Sequence, residues 1–242
     1  MEYTFPVNGF EVKARYDEAA VREIFAPLID TLVRLRGQKD GRLVAFLAAP
    51  PAVGKSTLGA FIEMLSRESG IPFSLQALGM DGFHHHQEYI LSHTVMRNGV
   101  EVPMKTVKGA PESFDLEKLR NMLDRVRRED VKWPFYDRRL HDVVEDMIPV
   151  TGDILLIEGN WLLLDEPGWN ELDCDYSLFI GAEEAQLRDR LIERKMRGGL
   201  SREAAEAFYD ACDGPNIRLC MAKRKKADLN LTLLGDGCYR VQ

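Results

Sequence analysis

The sequence predicts an α/β fold, a mostly parallel sheet with helices on both faces. Continuous apolar runs at Leu43–Ala48, Ile154–Ile157 and Tyr176–Ile180 read as strands buried on both sides. Segments with apolar residues at helical spacing lie between them. Strand alternating with helix is the pattern of parallel strands joined by crossover helices. The chain has 242 residues, which suits one large domain, or one domain with an appendage. A chain of this size buries roughly 70% or more of its unfolded surface, so its core needs no disulfide or metal staple.

The elements follow in order. Tyr3, Phe5 and Val7 alternate with polar residues, as do Phe10, Val12 and Ala14, and Asn8-Gly9 stands between them, a hairpin signal. Residues 17–36 carry Ala20, Val21, Ile24, Phe25, Leu28, Ile29, Leu32 and Val33 at helical spacing. Gly37 and Gly41 end that helix. After the Leu43–Ala48 strand a helix begins near Ser56 and ends near Gly70, and Phe73–Leu78 reads as the next strand. Residues 80–114 show no clear period and hold three adjacent histidines with Gly and Pro, so they read as a functional loop region. A helix over Phe114–Arg128 has Asp115 near its start. Glu183–Met196 and Arg202–Lys226 read as helices, and Leu229–Leu233 and Tyr239–Val241 as closing strands.

Composition narrows the function classes. Hydrophobic residues make up 45% and charged residues 29%, which excludes disorder, collagen and coiled coil as whole-chain descriptions. The net charge is 32 − 39 = −7. That argues against a nucleic-acid partner held by bulk positive charge, but a small anionic ligand needs only a local positive site. Cys174, Cys212, Cys220 and Cys238 form no C-x-x-C and have no His at zinc-finger spacing. They read as reduced, mostly buried thiols. The N-terminus lacks the basic and apolar regions of a signal peptide. The most apolar stretch, Ile154–Leu164, is interrupted by Glu158 and Asn160 and is shorter than a bilayer span. The expectation is a soluble, cytoplasmic protein with neither membrane nor nucleic-acid partner. Its oligomeric state stays open, a homodimer included.

Four segments carry chemistry. In Ala49-Pro50-Pro51-Ala52-Val53-Gly54-Lys55-Ser56-Thr57, Gly54, Lys55 and Ser56 fit a phosphate-binding loop. Such a loop turns backbone N–H groups around an anion, its Lys reaches the β/γ-phosphates and its Ser or Thr hydroxyl binds Mg²⁺. The helix N-terminus behind it favours the same anion. Ala49 replaces the usual first glycine, so this position must keep a negative φ. In Gly79-Met80-Asp81-Gly82-Phe83-His84-His85-His86, Asp81 follows a strand end, where α/β sheets bind ligands. It reads either as the base that accepts an attacking hydroxyl's proton or as a cap. Three consecutive histidines alternate sides in extended chain and cannot all converge on one ion. Substrate contact by one or two is favoured over a metal cluster or a solvated loop. Glu158 closes a buried strand, where a carboxylate needs a cation nearby or a surface-edge position. Arg188, Arg190, Arg194 and Arg197 lie on one helix, and Arg190 and Arg194 share a face. They read as arginines over a transferring phosphoryl group or as a solvated face paired with Glu184 and Glu193.

Five blocks in this order carry a resemblance: residues 52–57, Asp81-Gly82-Phe83-His84, residues 108–115 (KGAPESFD), residues 133–138 (WPFYDR) and residues 158–164 (EGNWLLL). The set resembles the P-loop kinase family of uridine kinase, phosphoribulokinase and bacterial pantothenate kinase. It looks closest to the fructose-transport (sugar) kinase-like and nucleoside/nucleotide kinase-like bacterial branch, over roughly residues 42–230. The resemblance implies a P-loop NTPase-type parallel sheet flanked by helices, with a helical lid. It divides the chain into an N-terminal hairpin and helix, 1–40, packed on a kinase domain, 41–242. The hairpin and helix are not shared by uridine kinases. ATP and Mg²⁺ are the implied cofactors. Ala52, Val53, Gly54, Lys55, Ser56 and Thr57 match the nucleotide loop, Asp81 the family's base, and Ser56 with Glu158 the metal position. His84, His85, Lys108, Tyr136, Arg138 and Glu158 fall in segments that face the substrate, and Arg190 and Arg194 in the lid helix. The implied reaction is γ-phosphoryl transfer from ATP to a hydroxyl of a small metabolite, first a sugar or sugar derivative. A nucleoside, ribosyl or pantothenate-type acceptor is the alternative within the class, and a slow ATP-hydrolysing switch the alternative outside it.

Overall fold

The computed structural model describes residues 2–7, 10–97, 99–235 and 237–242, the side chain of Phe10 apart. Strands β1 (Glu2–Val7) and β2 (Phe10–Arg15) pair antiparallel, Val7 opposite Phe10. The Asn8-Gly9 turn read from the sequence lies outside the described residues. The next segment is helical from Glu18 to Arg36: α1 (Glu18–Ala20), a π-helical turn (Val21–Phe25) and α2 (Ala26–Arg36). Asp17 caps it through the Ala19 N–H.

The core is a six-stranded sheet. Its members are β3 (Leu43–Ala48), β4 (Leu75–Gly79), β9 (Ile154–Gly159), β10 (Tyr176–Ala182), β11 (Leu229–Gly235) and β12 (Cys238–Val241). The order is β12-β11-β10-β3-β9-β4, all parallel except β12. Every residue of β3 and β9 is buried. One face of β3, through Leu43, Ala45 and Leu47, packs in a layer with Phe25, Leu58, Phe61 and Leu187. Its other face, through Val44, Phe46 and Ala48, packs with Phe83, Trp133 and Trp161. Burying each Leu, Val or Phe contributes about 1.5–3 kcal/mol, which explains why a run with no polar break occupies the centre of the sheet.

Helix α3 (Lys55–Glu68) follows β3. Between β4 and β9 lie α4 (Gln87–Ser92), the hairpin β5 (Thr94–Arg97)–β6 (Val100–Pro103), α5 (Leu116–Val126) and a second hairpin, β7 (Lys132–Asp137)–β8 (Asp142–Pro149). Asp115 caps α5 as read from the sequence. Both hairpins escape the sequence reading. Pro134 stands at a bulge in β7, and Asp146 of β8 has a positive φ of 51°, so the alternation that marks a strand is broken. Helix α6 (Glu184–Arg197) precedes α7 (Arg202–Phe208), a π-helical turn (Tyr209–Asp213) and α8 (Gly214–Ala222). The last helix stops four residues before the Lys226 expected from the sequence. Its chain turns to bridge Arg224 to Leu164 and to bond the Lys225 N–H to the Leu163 carbonyl. Among the described residues no helix is long and apolar enough to cross a membrane. All four cysteines are free thiols; Cys212 and Cys220 are buried, Cys174 is partly buried and Cys238 is exposed.

Candidate active site

The carboxyl ends of β3, β9 and β4 deliver the chemical groups to one edge of the sheet. Ala48 is level with Gly159, and Gly79 with Glu158. The chain leaves β3 into the loop 49–54 and re-enters a helix at Lys55. Ala49 keeps the negative φ its side chain demands, and its N–H donates to the Gly159 carbonyl at 3.3 Å. The left-handed turns fall instead at Ala52 (φ 65°) and Gly54 (φ 97°). A non-glycine residue there costs about 1–2 kcal/mol, strain of the kind that gathers at functional loops. Val53 turns into the core, so it can offer a ligand only its backbone.

A cavity of about 980 Å³ opens over this loop. Lys55, Ser56 and Thr57 stand on its floor, and Asp81, His84, Phe114, Tyr136 and Arg138 form one wall. The Ser56 hydroxyl donates to Glu158 Oε1 at 2.5 Å. A smaller cleft of about 90 Å³ beneath is lined by Glu158, Asp81, Gly82 and Tyr136. Hard oxygen donors of this kind suit Mg²⁺, which takes one or two protein ligands and completes its shell with phosphate and water. Among the described residues no group of three or more His, Cys, Asp or Glu could hold an ion by itself.

Asp81 sits in a 3₁₀ turn directly after β4. A Cβ on Gly82 would stand 2.1 Å from the Pro134 carbonyl, so only glycine lets this turn seat against β7. Trp133 fastens the same corner, donating from Nε1 to the Gly79 carbonyl at 2.8 Å. Burial works to raise the Asp81 carboxyl, but His84, Lys55, Arg138 and Arg194 outweigh it and hold it below the usual carboxylate range. Arg138 approaches it at 3.6 Å. Asp81 is thus an ionised acceptor with part of its surface open to the cavity.

Glu158 differs. Burial and the Asp81 charge push its carboxyl up, against the pull of Lys55. A carboxyl whose folded value lies above its unfolded value, usually near 4.5, costs stability wherever folding forces it to ionise, and costs nothing below that unfolded value. Glu158→Gln is therefore expected to raise the Tm of the nucleotide-free protein at neutral and higher pH. The gain should shrink as the pH falls toward about 4.5. Thermal melts across that range check it, and a gain that grows in acid would reverse the sign.

His84 is buried, its ring 3.8 Å from that of Phe114 and 5.2 Å from Tyr136, and its Nδ1 donates to the Asp81 carbonyl at 2.9 Å. Burial lowers its pKa, against the opposing pull of the Asp81 carboxylate. His85 does not line the cavity. It stacks on Tyr89 at 4.2 Å, because the next side chain along an extended segment points the other way. His86 pairs with Asp142 and Glu145. Lys108 lines the cavity beside Tyr136, with Nζ 2.6 Å from Gln87 Oε1, and burial lowers its pKa.

The arginines divide. Arg194 and Arg197 line the cavity. Arg190, one turn earlier and about 6 Å along the axis, reaches behind the loop and donates to the Ala52 carbonyl at 3.3 Å. The shared face expected for Arg190 and Arg194 thus serves two places, one bracing the loop and one facing the cavity. Arg188 pairs with Glu206 and lies over Tyr209. Glu184, expected as a partner of this face, is taken by Arg218. Lys195, Asp213 and Asn160 are among the cavity residues that escape the sequence reading. Lys195 and Asp213 form an ion pair at 3.4 Å, and Asn160 adds a buried carbonyl oxygen with no hydrogen-bond partner among the described residues. Asp213 ends the π-helical turn, whose extra residue per turn rotates it toward the cavity. Asn160, directly after the Glu158 strand, is the one with a sequence signal: a polar residue inside an apolar run.

No family model matches the chain. It is 41% identical over 242 residues to the uncharacterized protein YggC of Escherichia coli (strain K12), covering 99% of this chain and 98% of that one. It is 29% identical over 202 residues to the "putative uridine kinase C227.14" of Schizosaccharomyces pombe, covering 79% and 83%. A crystal structure described as a "putative fructose transport system kinase" from Silicibacter sp. TM1040 superposes with a TM-score of 0.74 at 30% identity. That match covers 85% of this chain and 98% of the other.

Proposed function

This chain belongs to the P-loop kinase family of uridine kinase, phosphoribulokinase and bacterial pantothenate kinase, and from that premise we propose that it phosphorylates a hydroxyl of a sugar or sugar derivative with ATP. The observation that carries the reading is the ionised Asp81 facing one cavity together with Lys55. A nucleotide-binding switch has no use for a base beside its lysine, whereas a kinase must take a proton from its acceptor.

The residues divide by role along the cavity. The loop 52–57 and Lys55 bind the triphosphate. Ser56 and Glu158 would hold Mg²⁺, which when bound neutralises charge on the β- and γ-phosphates. Arg194 faces the transferring group, where a fixed guanidinium stabilises developing charge. Asp81 orients the acceptor hydroxyl and accepts its proton. His84, Phe114 and Tyr136 offer ring faces, and Lys108 and Arg138 offer donors. Such a wall suits a ring with one apolar face and many hydroxyls. Arg138→Ala is expected to raise the KM for the acceptor far more than that for ATP, since Lys55 and the loop amides hold the nucleotide. An effect confined to ATP would remove this segment from the acceptor wall.

The acceptor class is tested by ADP release over a panel of free sugars, sugar derivatives, nucleosides and pantothenate. Turnover with a member of the sugar group is the expected result. Turnover with a nucleoside or pantothenate alone would replace the sugar reading while leaving the kinase in place.

A further inference from the structure

The N-terminal hairpin has a two-sided pattern that packing on the core does not use up. Its outer residues Glu2, Thr4, Pro6, Glu11, Lys13 and Arg15 are exposed. Its inner face carries Tyr3, Phe5, Val7, Val12 and Ala14, with Phe5 opposite Val12 in the register. Near the hairpin's base this face packs on α3: the Tyr3 ring lies 4.8 Å and the Phe5 ring 6.4 Å from that of Phe61. Towards its tip the same face reaches the cavity, where Val7 and Val12 form wall alongside Pro51, Ala52 and Gly54. An apolar stripe therefore runs from the core out over the phosphate loop.

The hairpin is held there from below. Tyr16 stacks on Phe61 at 4.0 Å, and the Asp17 N–H donates to the Gly237 carbonyl. A Cβ at Gly237 would stand 1.7 Å from the Arg15 carbonyl, so a glycine is what lets the hairpin's base lie against the last strand pair. This fixes the direction of the stripe.

The two regions of the cavity differ in chemistry. The wall with Asp81, His84, Lys108, Tyr136 and Arg138 is polar and charged. The wall with Val7, Val12, Pro51 and Ala52 presents apolar surface. A triphosphate seated on Lys55 with its γ-phosphate toward Asp81 must lead its other end away from Asp81. We propose that Val7 and Val12 form the subsite for the nucleobase of that nucleoside triphosphate, so that the N-terminal hairpin is part of the nucleotide site. The proposal rests on the P-loop reading. It assigns the hairpin a specificity role: the loop amides and Lys55 recognise phosphate whatever it is attached to, and the valines recognise the flat apolar face of a base.

Inorganic tripolyphosphate separates the two contributions, because it carries the phosphates without the base. Binding of Mg·ATP and of Mg·tripolyphosphate is measured by calorimetry for the wild type, Val12→Asp and Val7→Asp, with Val12→Ile as the conservative control. Both valines are only partly buried, and each variant's tripolyphosphate affinity reports whether its phosphate loop is intact. The expected result is that each Asp variant loses ATP affinity by roughly 10-fold or more, the scale of an altered apolar pocket contact. Tripolyphosphate affinity should stay unchanged, and Val12→Ile should match wild type. Unchanged ATP affinity in both Asp variants overturns the proposal, as do equal losses for the two ligands, or a wild type that binds the two equally. A wild type that binds neither ligand ends the P-loop reading and this inference with it.

Discussion

Lys55→Ala is expected to abolish nearly all ATP-dependent turnover, by roughly 10³-fold or more, the scale of losing a cation from the transferring phosphoryl group. Lys55 opens α3 on the floor of the cavity, and its charge draws down the carboxyls of both Asp81 and Glu158. It stands where the positive end of the helix and the turned loop already favour an anion. Alanine leaves those amides in place, so residual nucleotide binding should survive while the phosphates lose their point charge. The fold should survive too. Lys55 is not among the residues of the two core layers around β3, and alanine is a strong helix former. The one structural cost is electrostatic, because Asp81 and Glu158 then face each other with less positive charge between them. Arg138 and Arg194 still compensate Asp81. A loss near 1 kcal/mol moves the Tm of a chain this size by roughly 2–4 °C. Steady-state kinetics and a thermal melt on the same preparation check both halves. Activity unchanged from wild type would remove the loop from the chemistry.

The site residues that sequence reasoning finds share a physical property. Lys55 and Glu158 each follow, or close, a strand buried deeply enough to read as an apolar run, and Asp81 follows the partly buried β4 beside them. A charge at the end of such a run stands out against its neighbours, and parallel strands put their carboxyl ends on one edge. Ser56 and Glu158 are 102 positions apart in the chain, yet their oxygens meet at 2.5 Å because β3 and β9 are adjacent in register. The residues that sequence reasoning misses lack that marker. Lys195 lies on a helix already crowded with cations, and its partner Asp213 comes from the end of a π-helical turn 18 residues later. Val7 and Val12 look like ordinary alternation in a hairpin, and their place over the phosphate loop depends on how the hairpin's base seats at Gly237. His85 is the reverse case. Its type suggested substrate contact, but its neighbour His84 takes the inward position, and the backbone N–H of His85 donates to the Ser113 carbonyl as the chain turns away.

Asp81→Asn is expected to lower kcat by roughly 10²–10⁴, the span that general-base catalysis contributes. Phosphoryl transfer passes through a loose transition state in most analyses, so the protein mainly positions groups and balances charge. The acceptor hydroxyl must still lose its proton. Asp81 is held ionised by Lys55, Arg138, Arg194 and His84, despite the burial that works against it. Its turn is pinned by Gly82 against β7 and by the Trp133–Gly79 hydrogen bond, so the carboxylate is presented on a rigid corner. Asparagine keeps that shape and one acceptor oxygen but cannot take the proton. It also removes one negative charge beside Arg138 and Lys55, which should hold or slightly improve affinity for an anionic nucleotide. The two readouts therefore separate: kcat falls by orders of magnitude while the Kd for ATP, measured by calorimetry, does not rise. A cap residue would behave differently. The Asp81 carboxylate accepts none of the helix-start N–H bonds that Asp17 and Asp115 accept, and asparagine is as good a cap as aspartate. A purely structural Asp81 therefore predicts near-wild-type kcat, and a variant retaining more than about a third of it would show that the proton is accepted elsewhere.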